Sequence, residues 1–167
     1  AERYYKRAYS LATEKGDAAN NYGVFLCKQK SYAVAYSYFQ KAIDDPNYVS
    51  TAQTYENLGL CHLEQNDATA AKDYFLKALR IDPRLATSLL QMAQISVNAK
   101  DWAAAENYLT QYTATGEQSP DALWLGIKSA QALGDKEKAM NLARQLKTLY
   151  PNSVQYRQYL ATTRGVA

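Results

Sequence analysis

The stretch NDATAAKDYFLKALRIDP, residues 66–83, contains most of what decides the fold. Asp67 stands where a side-chain oxygen can receive the open amides that begin a helix. Ala71, Phe75 and Ala78 then follow at spacings of four and three, on one helical face. The same arrangement recurs in KSYAVAYSYFQKAI (30–43), KDWAAAENYLTQYT (100–113) and GDKEKAMNLARQLK (134–147). Aligned on Ala35, Ala71, Ala105 and Ala139, the segments are 36, 34 and 34 residues apart. A period of this size is the mark of a repeat architecture.

Four residues before those alanines stand Ser31, Asp67, Asp101 and Asp135, the expected caps. Four residues after them stand Phe39, Phe75, Leu109 and Ala143. Upstream of each cap lies another helical stretch with a large residue followed by a small one: Tyr22-Gly23, Leu58-Gly59, Met92-Ala93 and Leu125-Gly126. Each unit is therefore helix, turn, helix, with Pro46, Pro83, Pro120 and Pro151 in or beside the junctions between units. Glycine inside a helix costs about 1 kcal/mol relative to alanine. Gly23, Gly59 and Gly126 are explained if their missing side chains admit a neighbouring helix.

This pattern resembles the tetratricopeptide repeat, which implies an all-α superhelical solenoid of antiparallel helix pairs. A single repeat domain is expected over residues 1–167: a second helix of a truncated repeat at 1–15, repeats at 16–51, 52–85, 86–118 and 119–151, and a capping helix at 152–164. Residues 52–85 fit the family pattern best, while the third and fourth repeats depart from it at Ala93, Leu109 and Ala143. Tyr5 and Ala8 fall one period before Phe39 and Ala42, so the chain is expected to begin inside a repeat of a longer protein. Its first helix should then have an apolar face without its usual neighbour.

Composition narrows the function. A net charge of +3, with lysine and arginine dispersed among the acids, is not the footprint of a nucleic-acid binder. Fifteen tyrosines lie along helical segments, where packing with the hydroxyl reaching water is the simplest role. His62 is the only histidine and reads as an ordinary helix residue; there is no phosphate loop and no serine elbow. Asp44 and Asp45 read as loop residues beside Pro46. No catalytic, cofactor or metal site is expected, and the chain is read as non-enzymatic.

The stripe one residue past each large-small pair carries Asn20, Val24 and Cys27; Glu56, Leu60 and Leu63; Leu90, Gln94 and Val97; and Leu123, Ile127 and Ala130. By resemblance to tetratricopeptide repeats it faces the concave side, a candidate groove for an apolar peptide or amphipathic helix. Trp102 is expected to pack, and Trp124 either packs or lines that groove. The cationic residues with which co-chaperone repeats capture a carboxylate terminus are missing. Cys27 and Cys61 lie one period apart on adjacent first helices, which permits a disulfide and equally permits two buried thiols.

NNYGVFLCKQKSYAVAYSYFQKAI (20–43), YENLGLCHLEQNDATAAKDYFLKAL (55–79), SLLQMAQISVNAKDWAAAENYL (88–109) and LWLGIKSAQALGDKEKA (123–139) together resemble the type IV pilus biogenesis lipoprotein family called PilF or PilW. That resemblance implies a pilotin-like outer-membrane lipoprotein, facing the periplasm, that helps the secretin PilQ localise, assemble or remain stable. A role in stabilising the pilus fibre, or a general interaction scaffold, is the alternative. The lipid-bearing cysteine would lie upstream of Ala1. A periplasmic setting favours the Cys27–Cys61 disulfide.

Overall fold

The computed structural model describes residues 1–13 and 15–164. Among the described residues it contains ten α-helices and no strand. They group into two compact units, Ala1–Pro83 and the chain from Arg84 onward.

In the first unit, α1 (Glu2–Leu11) lies on α2 (Lys15–Lys28), which pairs with α3 (Tyr32–Ile43); α4 (Thr51–Glu64) pairs with α5 (Ala68–Ile81). The helices form because small and large apolar residues alternate on one face. Ala35, Phe39, Ala42, Ala71, Phe75 and Ala78 are all fully buried. The glycines answer to those rings: a Cβ on Gly23 would lie 2.7 Å from Phe39 Cε1, and one on Gly59 2.6 Å from Phe75 Cε1. Helix pairs approach this closely only where one residue has no side chain. On α1, Tyr5 stacks on Phe25 with ring centroids 4.6 Å apart, while Tyr4 and Leu11 point to solvent.

The second unit repeats the plan with α6 (Ala86–Asn98) and α7 (Trp102–Ala114), then α8 (Pro120–Ala132) and α9 (Lys136–Leu149), followed by α10 (Val154–Arg164) on α8 and α9. Ala93, Ala105, Leu109 and Leu125 form one core, against which Trp102 packs. Leu123, Ile127, Ala143 and Leu146 form another, to which α10 adds Tyr156 and Tyr159.

Asp67, Asp101 and Asp135 accept the backbone N–H three residues on, at 3.1, 3.1 and 2.9 Å. Ser31 does not: its side chain makes no capping bond, so α3 starts without the cap its sequence offered. Ser119, which the repeat pattern did not single out, caps α8 through Ala122 N–H at 3.1 Å, with Pro120 in the first helical turn.

The turn inside every pair has one geometry. Lys30, Asn66, Lys100 and Gly134, each just before the next helix's first cap, all have positive φ. Around Lys30 the N–H of Ser31 reaches Leu26 O at 2.9 Å and that of Lys30 reaches Cys27 O at 2.7 Å; the other turns repeat this. These two bonds satisfy the last carbonyls of the preceding helix.

Candidate partner-binding surface

The first-helix stripe does not fold into one kind of surface. Asn20 is buried, and its Oδ1 accepts from Thr54 Oγ1 at 3.1 Å and from Asn57 Nδ2 at 3.0 Å. Because Thr54 spends its proton on Asn20, the Tyr48 hydroxyl, 2.9 Å from Thr54 Oγ1, is the donor there. The resulting chain of bonds ties α2 to α4, and burial pushes the Tyr48 phenol above its ordinary range. Glu56 is also buried and accepts from Gln53 Nε2 at 2.7 Å. Asn20 and Glu56 are therefore interior polar groups, satisfied within the fold as buried polar groups must be.

Val24, Leu60 and Leu63 remain half-buried in the first unit, as do Leu90, Gln94 and Trp124 in the second. Those six side chains retain accessible surface. Val97 is nearly covered, and Leu123 and Ile127 are core residues, Ile127 having no exposure at all. The reason is α10, whose tyrosines lie on the same cluster as Leu123 and Ile127. Packed on α8 and α9, α10 lies over the stripe residues that α8 contributes. Trp124 stands at the rim of that contact, edge-on to Tyr159 at 6.5 Å, with Lys128 Nζ 5.4 Å from its ring centre. Burial holds the Lys128 ammonium below the usual lysine range.

Cys27 and Cys61 are joined in a disulfide, their Cα atoms 5.8 Å apart, linking α2 to α4. Asp45 is more than a loop residue: its Oδ2 accepts Gly16 N–H at 2.9 Å in the first turn of α2, and its Oδ1 accepts Asn47 N–H. Gly16 leaves room there for Tyr48, whose ring would stand 2.5 Å from a Cβ at that position.

His62 is likewise more than an ordinary helix residue. It lies between two tyrosines, stacked on Tyr36 at 4.6 Å and on Tyr74 at 5.2 Å, so three rings fill the space between α3 and α5. The spacing of Tyr36, His62 and Tyr74 was open to view, but only with repeat geometry do these residues become neighbours. Among the described residues, no group of three or more His, Cys, Asp or Glu side chains is placed to hold a metal ion. Among the described residues, no helix is long and apolar enough to cross a membrane.

The chain matches the tetratricopeptide-repeat family over residues 14–84 and again over 121–153. It is 33% identical over 161 residues to the type IV pilus assembly protein PilF of Pseudomonas aeruginosa, a match covering 96% of this chain and 64% of that protein. The solved structure of Pseudomonas aeruginosa PilF superposes with a TM-score of 0.87 at 32% identity, over 96% of this chain and 72% of that one. The chain belongs to the PilF/PilW family of tetratricopeptide-repeat proteins. PilW, described as a widely conserved type IV pilus biogenesis factor, gives a TM-score of 0.79 at 28% identity, over 96% of this chain and 74% of PilW. The all-α repeat fold and the non-enzymatic class follow from this membership. This chain spans just under two thirds of the length of Pseudomonas PilF.

Proposed function

We propose that this chain acts in type IV pilus biogenesis as a pilotin-like adaptor that promotes outer-membrane localisation, assembly or stability of the secretin PilQ. The observation that carries the proposal is the likeness to PilF, in sequence and fold together, along 96% of the chain. The accessible apolar side chains Val24, Leu60, Leu63 and Leu90, with Gln94 and Trp124, are the contacts assigned to the partner. They suit an apolar peptide or amphipathic helix better than a charged one.

The proposed location is the periplasmic face of the outer membrane. The Cys27–Cys61 disulfide supports an oxidising compartment, where such bonds persist. The test is the amount and membrane location of heat- and detergent-resistant secretin multimers in cells with and without the protein. Loss of multimers, or their arrest in the inner membrane, is the expected result. Normal multimers in cells that lack pili would overturn it in favour of stabilising the fibre.

A further inference from the structure

The fourth repeat departs from the others at one position of its first helix. Two residues past the small member of each large-small pair stand Phe25, Cys61, Ile95 and Lys128. Phe25 stacks on Tyr5, and Cys61 is buried in the disulfide. Three apolar residues are thus followed by a cation, and that cation is half-buried on α8.

The fold gives Lys128 no counter-ion. Its Nζ lies 5.4 Å from the centre of the Trp124 ring, one helical turn back. Among the described residues it makes no ion pair and no hydrogen bond, while its nitrogen keeps contact with solvent. The two acids closest to it along the chain are both engaged: Asp121 accepts from Gln155 Nε2 at 2.6 Å, and Asp135 caps α9. Burial lowers the ammonium's pKa, and no carboxylate offsets the shift. The Trp124 ring face attracts the charge but accepts no strong hydrogen bond from its three donors.

The neighbourhood is otherwise uncharged. Trp124 is edge-on to Tyr159 of α10, and Leu90 and Gln94 keep accessible surface on α6, which packs on α8. An unpaired ammonium in such a setting favours a carboxylate opposite it and rejects a lysine or arginine, because charge pairing strengthens as water is excluded.

We propose that the stripe of the second unit receives a partner segment that is apolar except for one aspartate or glutamate, whose carboxylate pairs with Lys128 Nζ while an apolar neighbour lies on Trp124. This inference rests on the reading of the stripe as the secretin contact, and adds the charge that fixes the segment's register.

The test is calorimetric titration of purified secretin into the whole chain, unaltered and as Lys128→Met and Lys128→Arg. Methionine keeps most of the stem and removes the charge. It is expected to weaken binding about tenfold, the size of one hydrogen bond between charged groups, without lowering Tm. Arginine, which keeps the charge, should retain most of the affinity. Unchanged affinity for Lys128→Met, or a loss for Lys128→Arg as large as that for Lys128→Met, would overturn the carboxylate while leaving the stripe as the contact. No binding of secretin by the unaltered protein would overturn both readings.

Discussion

The ring of Phe75 occupies the place where a side chain on residue 59 would begin, 2.6 Å from the position of a Gly59 Cβ. Gly59→Ala gains about 1 kcal/mol of helix propensity. It must also displace a fully buried ring whose own surroundings are packed. Overpacking of that kind costs about 1–3 kcal/mol, so a net loss of stability is expected in chemical denaturation. Gly126→Ala is the internal comparison, because there the neighbour is the tip of Leu142, which can rotate away. It should be close to neutral. Equal losses at the two positions would refute this account of the glycines.

The disulfide closes a loop spanning 34 residues between two adjacent first helices. In the chain-entropy treatment this is worth about 3–4 kcal/mol. Thermal unfolding with and without a reductant should show a clear fall in Tm on reduction. The Cys27→Ala, Cys61→Ala double variant should match the reduced protein and be insensitive to reductant.

Lys100 carries a positive φ in the turn between α6 and α7, a conformation that costs a side-chain-bearing residue about 1 kcal/mol or more. Lys100→Gly is expected to stabilise the chain by up to about 1 kcal/mol, and Gly134→Ala to destabilise it by a similar amount, since Gly134 has φ of 79°. Denaturant midpoints measure both. An unchanged midpoint for each would remove the strain argument.

Burial raises the Tyr48 phenol above its ordinary value of about 10, with the Asp17 carboxylate adding to the rise. A raised value means that the unfolded chain loses its proton first. The stability contributed by the neutral phenol is therefore complete below pH 10 and lost as pH climbs through the folded value. Tyr48→Phe should flatten part of that alkaline slope while lowering stability at neutral pH, because Thr54 loses its donor. Unfolding free energies measured from neutral to strongly alkaline pH test both statements.

Leu60 is half-buried on the stripe assigned to the partner. Leu60→Asp together with Leu90→Asp is expected to abolish secretin binding while far-ultraviolet circular dichroism stays that of a helical protein. Full binding by the double variant would move the contact to another face.

The helix pairs and the close helix crossings at Gly23 and Gly59 could be read directly from the chain, because a 34-residue period places the same residue types at the same crossings, while the rings they face came from the structure. Which stripe residues remain accessible could not. Asn20 and Leu90 each stand three residues before the small residue of their pair, yet Asn20 is buried and committed to Thr54 and Asn57 while Leu90 keeps open surface. Periodicity specifies a face of a helix, but burial depends on what another segment lays across it. Leu123 and Ile127 show this most plainly, since α10, not the repeat pattern, covers them.

The α7–α9 cleft has the same lesson in reverse. Sequence determined that Tyr36, Tyr55 and Tyr74 give way to Glu106, Ala122 and Leu142 at the equivalent positions, and tertiary structure alone decided whether neighbours would close the space of about 690 Å³ between α7 and α9. Leu142 lies against Gly126 and Ala122 offers only a methyl group, so the space stays open. The local pattern of a repeat is written residue by residue, whereas an open space is a property of three helices at once.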